Sequence, residues 1–503
     1  MEKKLILGLD IGTQAIKGML VTTKGEIVGR TELERGPTHP TPGWVEMDVE
    51  RDWWGAGLQV VRRLLSELRL PVDSIIGMGV SGLVPCLGLL DADGKSLRPA
   101  ILYSDNRALE ELEWVNQQGG LALTAEAVVP KLVWIQRHEP ECFAQAHVVL
   151  SAHNYMVYRL TGALSMDYDT ASIMGGIFDT ATKTWRTKLI EQLGIPARIW
   201  PRPSPATGVV GRVTAEAARA TGLPENIPVI AGSGDTFPTI VGCGAVELGD
   251  AMLAFGTTGL LTITNRPLAE SATGPHFDVN AAGGAVTWGA NVLSAGRLVR
   301  WFSDQFSSAE RSVASRLGAN EFALLEAQAR RIPPGSEGLI VLPHWLGRRT
   351  PTPDANLKGS SLGWSPSHTL AHFYRAILEA FAYNVRQSFD GLRSRVVRLV
   401  ATSGGAQSPL WRQIAADVLE TSLEYYPGSS GALGIAFLTA YALGMTGQFN
   451  DIKYSWLSNP EVTHPQPEAV QVYRRLFPVY CTFDEALAEP YAQLRRALQE
   501  EED

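Results

Sequence analysis

The chain has 503 residues, 45% apolar and 19% charged, which is material for two or three packed domains and too apolar for a disordered protein. Its 44 Lys and Arg face 52 Asp and Glu, a net charge of −8 that argues against a nucleic-acid scaffold, since gripping a phosphate backbone needs a basic face. Glycine is in excess at 49 residues without a Gly-X-Y period, so it marks turns and close approaches of the backbone.

The four cysteines, Cys86, Cys142, Cys243 and Cys481, are isolated and read as buried thiols in a reducing compartment. The apolar start Leu5–Leu9 is broken by Asp10, and no stretch approaches the ~18 apolar residues of a spanning helix. The expectation is a cytoplasmic protein with neither a membrane nor a nucleic acid as partner.

The opening thirty residues read as strand, turn, strand, turn, strand: Leu5–Asp10, Gly12-Thr13, Ala15–Val21, Lys24-Gly25 and Ile27–Thr31. Such continuous Leu/Ile/Val runs fit strands buried on both faces of an α/β domain. An amphipathic helix with Trp53, Trp54, Leu58, Val61 and Leu65 on its apolar face follows. Strands at Ile75–Val80 and Leu87–Leu90 precede helical segments around 105–118, 125–138 and 151–160. The proline-rich stretch 201–212 reads as a loop, and Ile227–Ala231 as a strand.

Residues 232–296 hold twelve glycines where about six are expected from the chain average. Within them Ala251–Phe255, Gly256-Thr257-Thr258-Gly259 and Leu260–Thr264 repeat the opening strand–turn–strand pattern. A long helix is expected from about His368 to Gly391, a strand through Val396–Ala401, and a helix from about Pro409; the charged tail from 466 reads as helical and surface-packed. The domain expectation is therefore 1–246 and 247–503, each opening on the same hairpin.

A Gly-Thr turn between two strands offers backbone N–H groups and a hydroxyl to phosphate oxygens, and glycine permits close approach. Asp10-Ile11-Gly12-Thr13 and Gly256-Thr257-Thr258-Gly259 fit that description, though either alone can be an ordinary hairpin turn. Asp10, at a strand end beside the first turn, suits Mg²⁺, which is often held by one or two carboxylates plus substrate phosphates. Asp235 follows the strand at Pro228–Ala231 and can accept a proton from an attacking hydroxyl, or can be a helix cap. Ser403-Gly404-Gly405-Ala406-Gln407 lies between a strand and a helix, where a flat turn can meet a nucleoside. His368 and His372 lack a zincin glutamate and read as a helix start, Trp53-Trp54 as core, and Gly88–Ser96 as a hairpin turn rather than a Walker loop.

Across nearly its whole length the sequence resembles the FGGY family of carbohydrate kinases, within the actin/hexokinase/Hsp70-like ATPases. The motifs are Asp10–Thr13 with Lys17, Gly43–Glu46, Tyr103–Arg107, Pro130–Trp134, Leu160–Gly162 with Asp167, Ala231–Asp235, Gly256–Gly259, Leu293–Gly296, Arg349–Pro351, Arg375–Glu379 and Gly404–Pro409. The resemblance implies two actin-like (ribonuclease H-like) α/β domains with an interdomain cleft, and ATP-dependent phosphorylation of a sugar or polyol hydroxyl. It implies Asp235 as general base, Asp10 near Mg²⁺, Gly12, Thr13, Lys17, Gly256, Thr257, Thr258 and Gly296 around the phosphates, and Gly404, Gly405, Ala406 and Gln407 around adenosine. Ser81, Leu83, Val84, Asp105, Asn154 and Asp235 would face the sugar.

Spacing is most similar to that of the xylulokinase branch, whose Ser-Gly-Gln-Met-His is Ser81-Gly82-Leu83-Val84-Pro85 in this chain. Asn154 stands where Asp is common, and Arg348 where Glu precedes Arg-Thr-Pro. D-xylulose leads as substrate, with gluconate, ribulose, a deoxy-sugar or another polyol as alternatives, and a non-catalytic sugar or nucleotide sensor as the competing class. A homodimer is compatible with the sequence, which does not decide it.

Overall fold

The computed structural model describes residues 4–265 and 286–499. The glycines at 274, 283 and 284 lie outside the described residues. The chain forms two compact units: the first takes residues up to 247 together with 428–458, the second 248–265, 287–427 and the chain from 459 onward.

In the first unit the hairpins form as the alternation of apolar runs and glycine turns dictates: β1 (Leu5–Ile11), β2 (Ala15–Thr22) and β3 (Ile27–Glu34) are antiparallel neighbours. β1 and β2 are buried, whereas β3 is largely exposed because it closes the edge of the sheet. β4 (Ile75–Gly82) lies parallel to β1 on its other side. β5 (Val209–Arg212) and β6 (Pro228–Ile230) complete the order β5–β6–β4–β1–β2–β3, and the two-residue β7 (Ser233–Gly234) pairs with the end of β4. The stretch 201–212 is thus not all loop: Val209–Arg212 joins the sheet and Arg202–Ser204 pairs with Ser165–Asp167, with Pro205 and Gly208 confined to the turn between.

The expected helix after the third strand begins as a π-helical turn, Val49–Gly55, and continues as α1 (Ala56–Glu67). Trp53 and Trp54 are core residues, as expected. α2 (Ala152–Thr161) ends at Gly162, which takes φ +77° as the left-handed cap.

The second unit repeats this topology. β8 (Asp250–Phe255) and β9 (Gly259–Thr264) form the second hairpin, and the order runs β10 (Val286–Val292), β9, β8, β11 (Arg398–Thr402), β12 (Leu423–Tyr425), β13 (Glu461–Thr463). β8 and β11 are parallel, as β1 and β4 are, and each sheet ends on an antiparallel pair.

The long helix is Leu370–Phe389, with Ile377, Phe381, Val385 and Phe389 buried and Leu370 exposed at its start. His372 closes a capping box with Thr369, so the two histidines do mark a helix start. The tail is more than a surface cover, because its first helix, Pro467–Ala486, buries Tyr473, Tyr480 and Asp484.

One segment departs from a single division after residue 246. The helix Gly431–Ala442 is apolar on all sides, fully buried but for its last two residues, and packs with β1, β4 and the helix Thr236–Gly242 of the first unit. Glycine makes the crossing of the two helices possible: a Cβ on Gly434 would sit 1.8 Å from the Pro238 carbonyl oxygen.

Candidate active site

β1, β4 and β7 end side by side in the first unit, and the sheet register decides what gathers there. Asp10 lies opposite Lys17 across the hairpin and beside Ser81 on β4. The Ser81 hydroxyl donates to Asp10 Oδ1 at 2.8 Å. Burial pushes the Asp10 carboxyl up, against the opposing pull of Lys17 and the Ser81 hydrogen bond. Its Oδ2 lies 3.2 Å from where a Cβ on Gly431 would stand, so only glycine leaves that oxygen uncrowded.

Ser233-Gly234 pairs with Ser81-Gly82, and the Asp235 N–H donates to the Gly82 carbonyl at 2.8 Å. Asp235 stands at the start of the helix Thr236–Gly242, yet its carboxylate makes no capping hydrogen bond to it. The helix-cap alternative therefore leaves this carboxylate unexplained. Burial, reinforced by the negative charge of Asp10, raises the Asp235 carboxyl to about 7. A carboxylate tuned to that value is poised to exchange a proton near neutrality.

Among the described residues no cluster of three or more His, Cys, Asp or Glu could cage a metal. Asp10 beside Asp235 fits Mg²⁺ instead, since that ion keeps most of its waters and takes one or two carboxylates. A cation there offsets the mutual repulsion of two half-buried acids.

The residues expected around a sugar separate into two groups. Ser81 is fully buried and its hydroxyl is spent on Asp10. Leu83 is 0% exposed and packs in the core. Val84 next to it stays partly exposed.

Asp105 is buried as well. It is 1% exposed, and its carboxylate accepts from the Val45 N–H at 2.5 Å and from Arg107 Nε and Nη2 at 2.9 and 2.7 Å. The Arg107 guanidinium lies 3.8 Å from the Trp44 ring centroid, and Trp44 meets Trp134 edge-on at 5.3 Å. The motifs at 43–46, 103–107 and 130–134 are thus one buried knot. Lys131 in the last of them donates to the carbonyls of Ala125, Glu126 and Tyr103, and burial lowers its ammonium to about 8.

Asn154 is buried with its amide nitrogen 2.9 Å from His153 Nε2, which itself lies 2.7 Å from Asp167 Oδ2. The sequence reading passed over His153. Its place is set by Gly82, where an added Cβ would lie 3.3 Å from the His153 Cβ.

In the first hairpin the Gly12 N–H is spent on the Ala15 carbonyl at 3.0 Å, so that glycine shapes the turn, with Thr13 half-buried and Gln14 as its exposed corner. In the second unit the Gly296 N–H donates to the Gly256 carbonyl at 2.8 Å, bracing the turn Gly256–Gly259 from behind. Ser403 lies over the same turn, its Oγ 3.9 Å from a Cβ built on Gly256. The two glycine turns of this unit are therefore neighbours, as one nucleotide would require. Gly404 faces open space, Gln407 is exposed, and Ala406 is buried with its carbonyl held by Arg412. A Cβ on Gly405 would stand 2.4 Å from the Trp411 ring, so this glycine lets the turn lie against the following helix.

Models of the FGGY family of carbohydrate kinases match residues 5–242 with the N-terminal domain and 251–443 with the C-terminal domain. The xylulose kinase of Bacillus subtilis is 28% identical over 491 residues, 95% of this chain and 96% of its own. The gluconokinase of Bacillus licheniformis is 27% identical over 506 residues, 97% of each chain. The crystal structure of xylulose kinase from Rhodospirillum rubrum superposes with a TM-score of 0.78 at 29% identity, covering 97% of this chain and 100% of that one. No helix among the described residues is long and apolar enough to cross a membrane.

Proposed function

The chain belongs to the FGGY family of carbohydrate kinases, enzymes that phosphorylate sugars, and from that premise we propose that it transfers the γ-phosphoryl group of ATP to a hydroxyl of D-xylulose. Asp235 carries the reading. It is a strand-end carboxylate, free of helix-capping duty and raised to about 7, the disposition of a general base working near neutral pH. As the sugar oxygen bonds to phosphorus and the bond to the ADP oxygen breaks, Asp235 takes the hydroxyl proton. Thr13, Thr257 and Thr258 supply donors to the phosphates, with Lys17 as a nearby positive charge and Gly12, Gly256 and Gly296 shaping the turns. Gly404, Gly405, Ala406 and Gln407 form the platform for adenosine.

Mg²⁺ at Asp10 supplies charge neutralisation on the phosphates when bound. Ser81 orients that carboxylate through its hydrogen bond to Oδ1, and Asp10 would hold the ion.

D-xylulose ranks first because xylulose kinases recur among the relatives and the solved structures, and gluconate second because gluconokinases cover the chain equally well. A coupled ADP-release screen over ketoses, aldonates and polyols decides the acceptor. In the same assay Asp235→Ala should abolish sugar-dependent ADP formation while ATP still binds; retained turnover in that variant would remove Asp235 from the role of base.

A further inference from the structure

The hydroxyls beside Asp235 are already committed. Ser81 donates to Asp10, Thr239 donates to the Asp235 carbonyl at 2.7 Å, and Thr236 leans on the Asp235 carboxylate at 3.4 Å. Two neighbouring side chains offer no donor at all. Val84 is packed directly over the residue before the base, where a Cβ on Gly234 would stand 2.3 Å from Val84 Cγ2. Pro85 follows it, and both remain partly exposed. Their position is fixed from two sides, since the Leu83 N–H donates to the Ile11 carbonyl and the Asp235 N–H to that of Gly82, both at 2.8 Å.

A sugar hydroxyl laid against this wall loses its water and gains no partner, whereas a methyl or methylene group loses nothing. We infer that the acceptor subsite beside Asp235 takes a deoxy-sugar: a ketose or polyol with a methyl or methylene group where Val84 and Pro85 form the wall. The inference rests on the kinase reading and narrows its substrate class. A site built to hydrogen-bond a hydroxyl rejects the deoxy analogue by about 10⁴-fold, while an apolar one discriminates by only about 10²-fold in the opposite sense.

The test uses matched acceptors that differ by one hydroxyl, D-xylulose against 1-deoxy-D-xylulose and L-fructose against 6-deoxy-L-fructose, with kcat/KM measured for each by ADP release. In at least one pair the deoxy member should equal or exceed its parent. Val84→Thr keeps the branched shape and adds a donor, and it should move that ratio about five-fold toward the hydroxylated member. Binding of the same four compounds to Asp235→Asn, read by calorimetry, should follow the same order. A preference of hundredfold or more for the hydroxylated member in both pairs overturns the inference. If none of the four is turned over, the ketose acceptor fails by itself, and the calorimetric order still decides whether the wall favours the deoxy compound.

Discussion

Ser81 and Asp10 stand in register on adjacent parallel strands, and the serine hydroxyl donates to Asp10 Oδ1 at 2.8 Å. The bond favours the ionised carboxylate, opposing a burial that pushes its pKa up. Ser81→Ala removes the donor, which should cost about 1–2 kcal/mol of stability in urea unfolding. With Asp10 less ionised, the Mg²⁺ concentration for half-maximal activity should rise. An unchanged Mg²⁺ dependence would show that the serine plays no part in presenting the carboxylate.

Asp235 predicts a pH profile with a definite sign. A base at about 7 must lose its proton to work, so kcat/KM for the sugar should climb through pH 7 and level off above it. Because burial comes first and the Asp10 charge second among the causes, Asp10→Asn should move any residual activity's acid limb to lower pH. Stability runs the other way: the folded value lies above the ordinary 3.8, so the folded state holds the proton more tightly and stability falls as pH rises from about 4 to 7. Asp235→Asn should therefore be inactive, melt above the wild type at pH 8, and lose that advantage below pH 4.

The crossing of the helices Thr236–Gly242 and Gly431–Ala442 depends on Gly434, where a Cβ would meet a backbone oxygen at 1.8 Å. Backbone cannot rotate aside as a side chain can. Gly434→Ala should destabilise the protein by at least about 2 kcal/mol. It should also lower kcat, because the first of these helices begins beside Asp235. Differential scanning calorimetry and steady-state kinetics at one temperature read both effects.

Both hairpins were legible in the sequence because a glycine turn between two apolar runs is a local signal, and so was Asp235, which follows directly on a short strand. What escaped depended on distance or on facing. Asp105 is tied to the Val45 N–H, 60 positions away, and nothing in its own segment announces that partner. Leu83 and Val84 are adjacent and both apolar, and nothing local tells that, just past the strand, one turns to the core and the other stays partly exposed. The helix at 431–442 returns to the first unit unannounced, because a helix that is apolar all round carries no stripe to say which core it serves.

Ser403 adopts φ +74° and ψ 178°, a conformation almost reserved for glycine, at the turn expected to meet adenosine. Ser403→Gly should relieve that strain and raise stability by about 1 kcal/mol. If the serine's value lies in its side chain over Gly256, the same variant should bind ADP more weakly in calorimetry. Equal ADP affinity with higher stability would make Ser403 a tolerated strain and nothing more.

Asp105→Asn separates a buried support from a substrate ligand. The substitution keeps the shape but withdraws the charge that Arg107 engages through two nitrogens, leaving the guanidinium with Glu46 as its ion-pair partner. Breaking a buried pair in this way costs about 3–5 kcal/mol. The knot around Trp44 and Trp134 should loosen, so the variant should unfold at distinctly lower urea. The KM for the sugar, measured on the folded fraction at low temperature, should stay within about two-fold of wild type, because both Asp105 oxygens already accept from the Val45 N–H and from Arg107. A large rise in KM with stability intact would place Asp105 at the sugar instead.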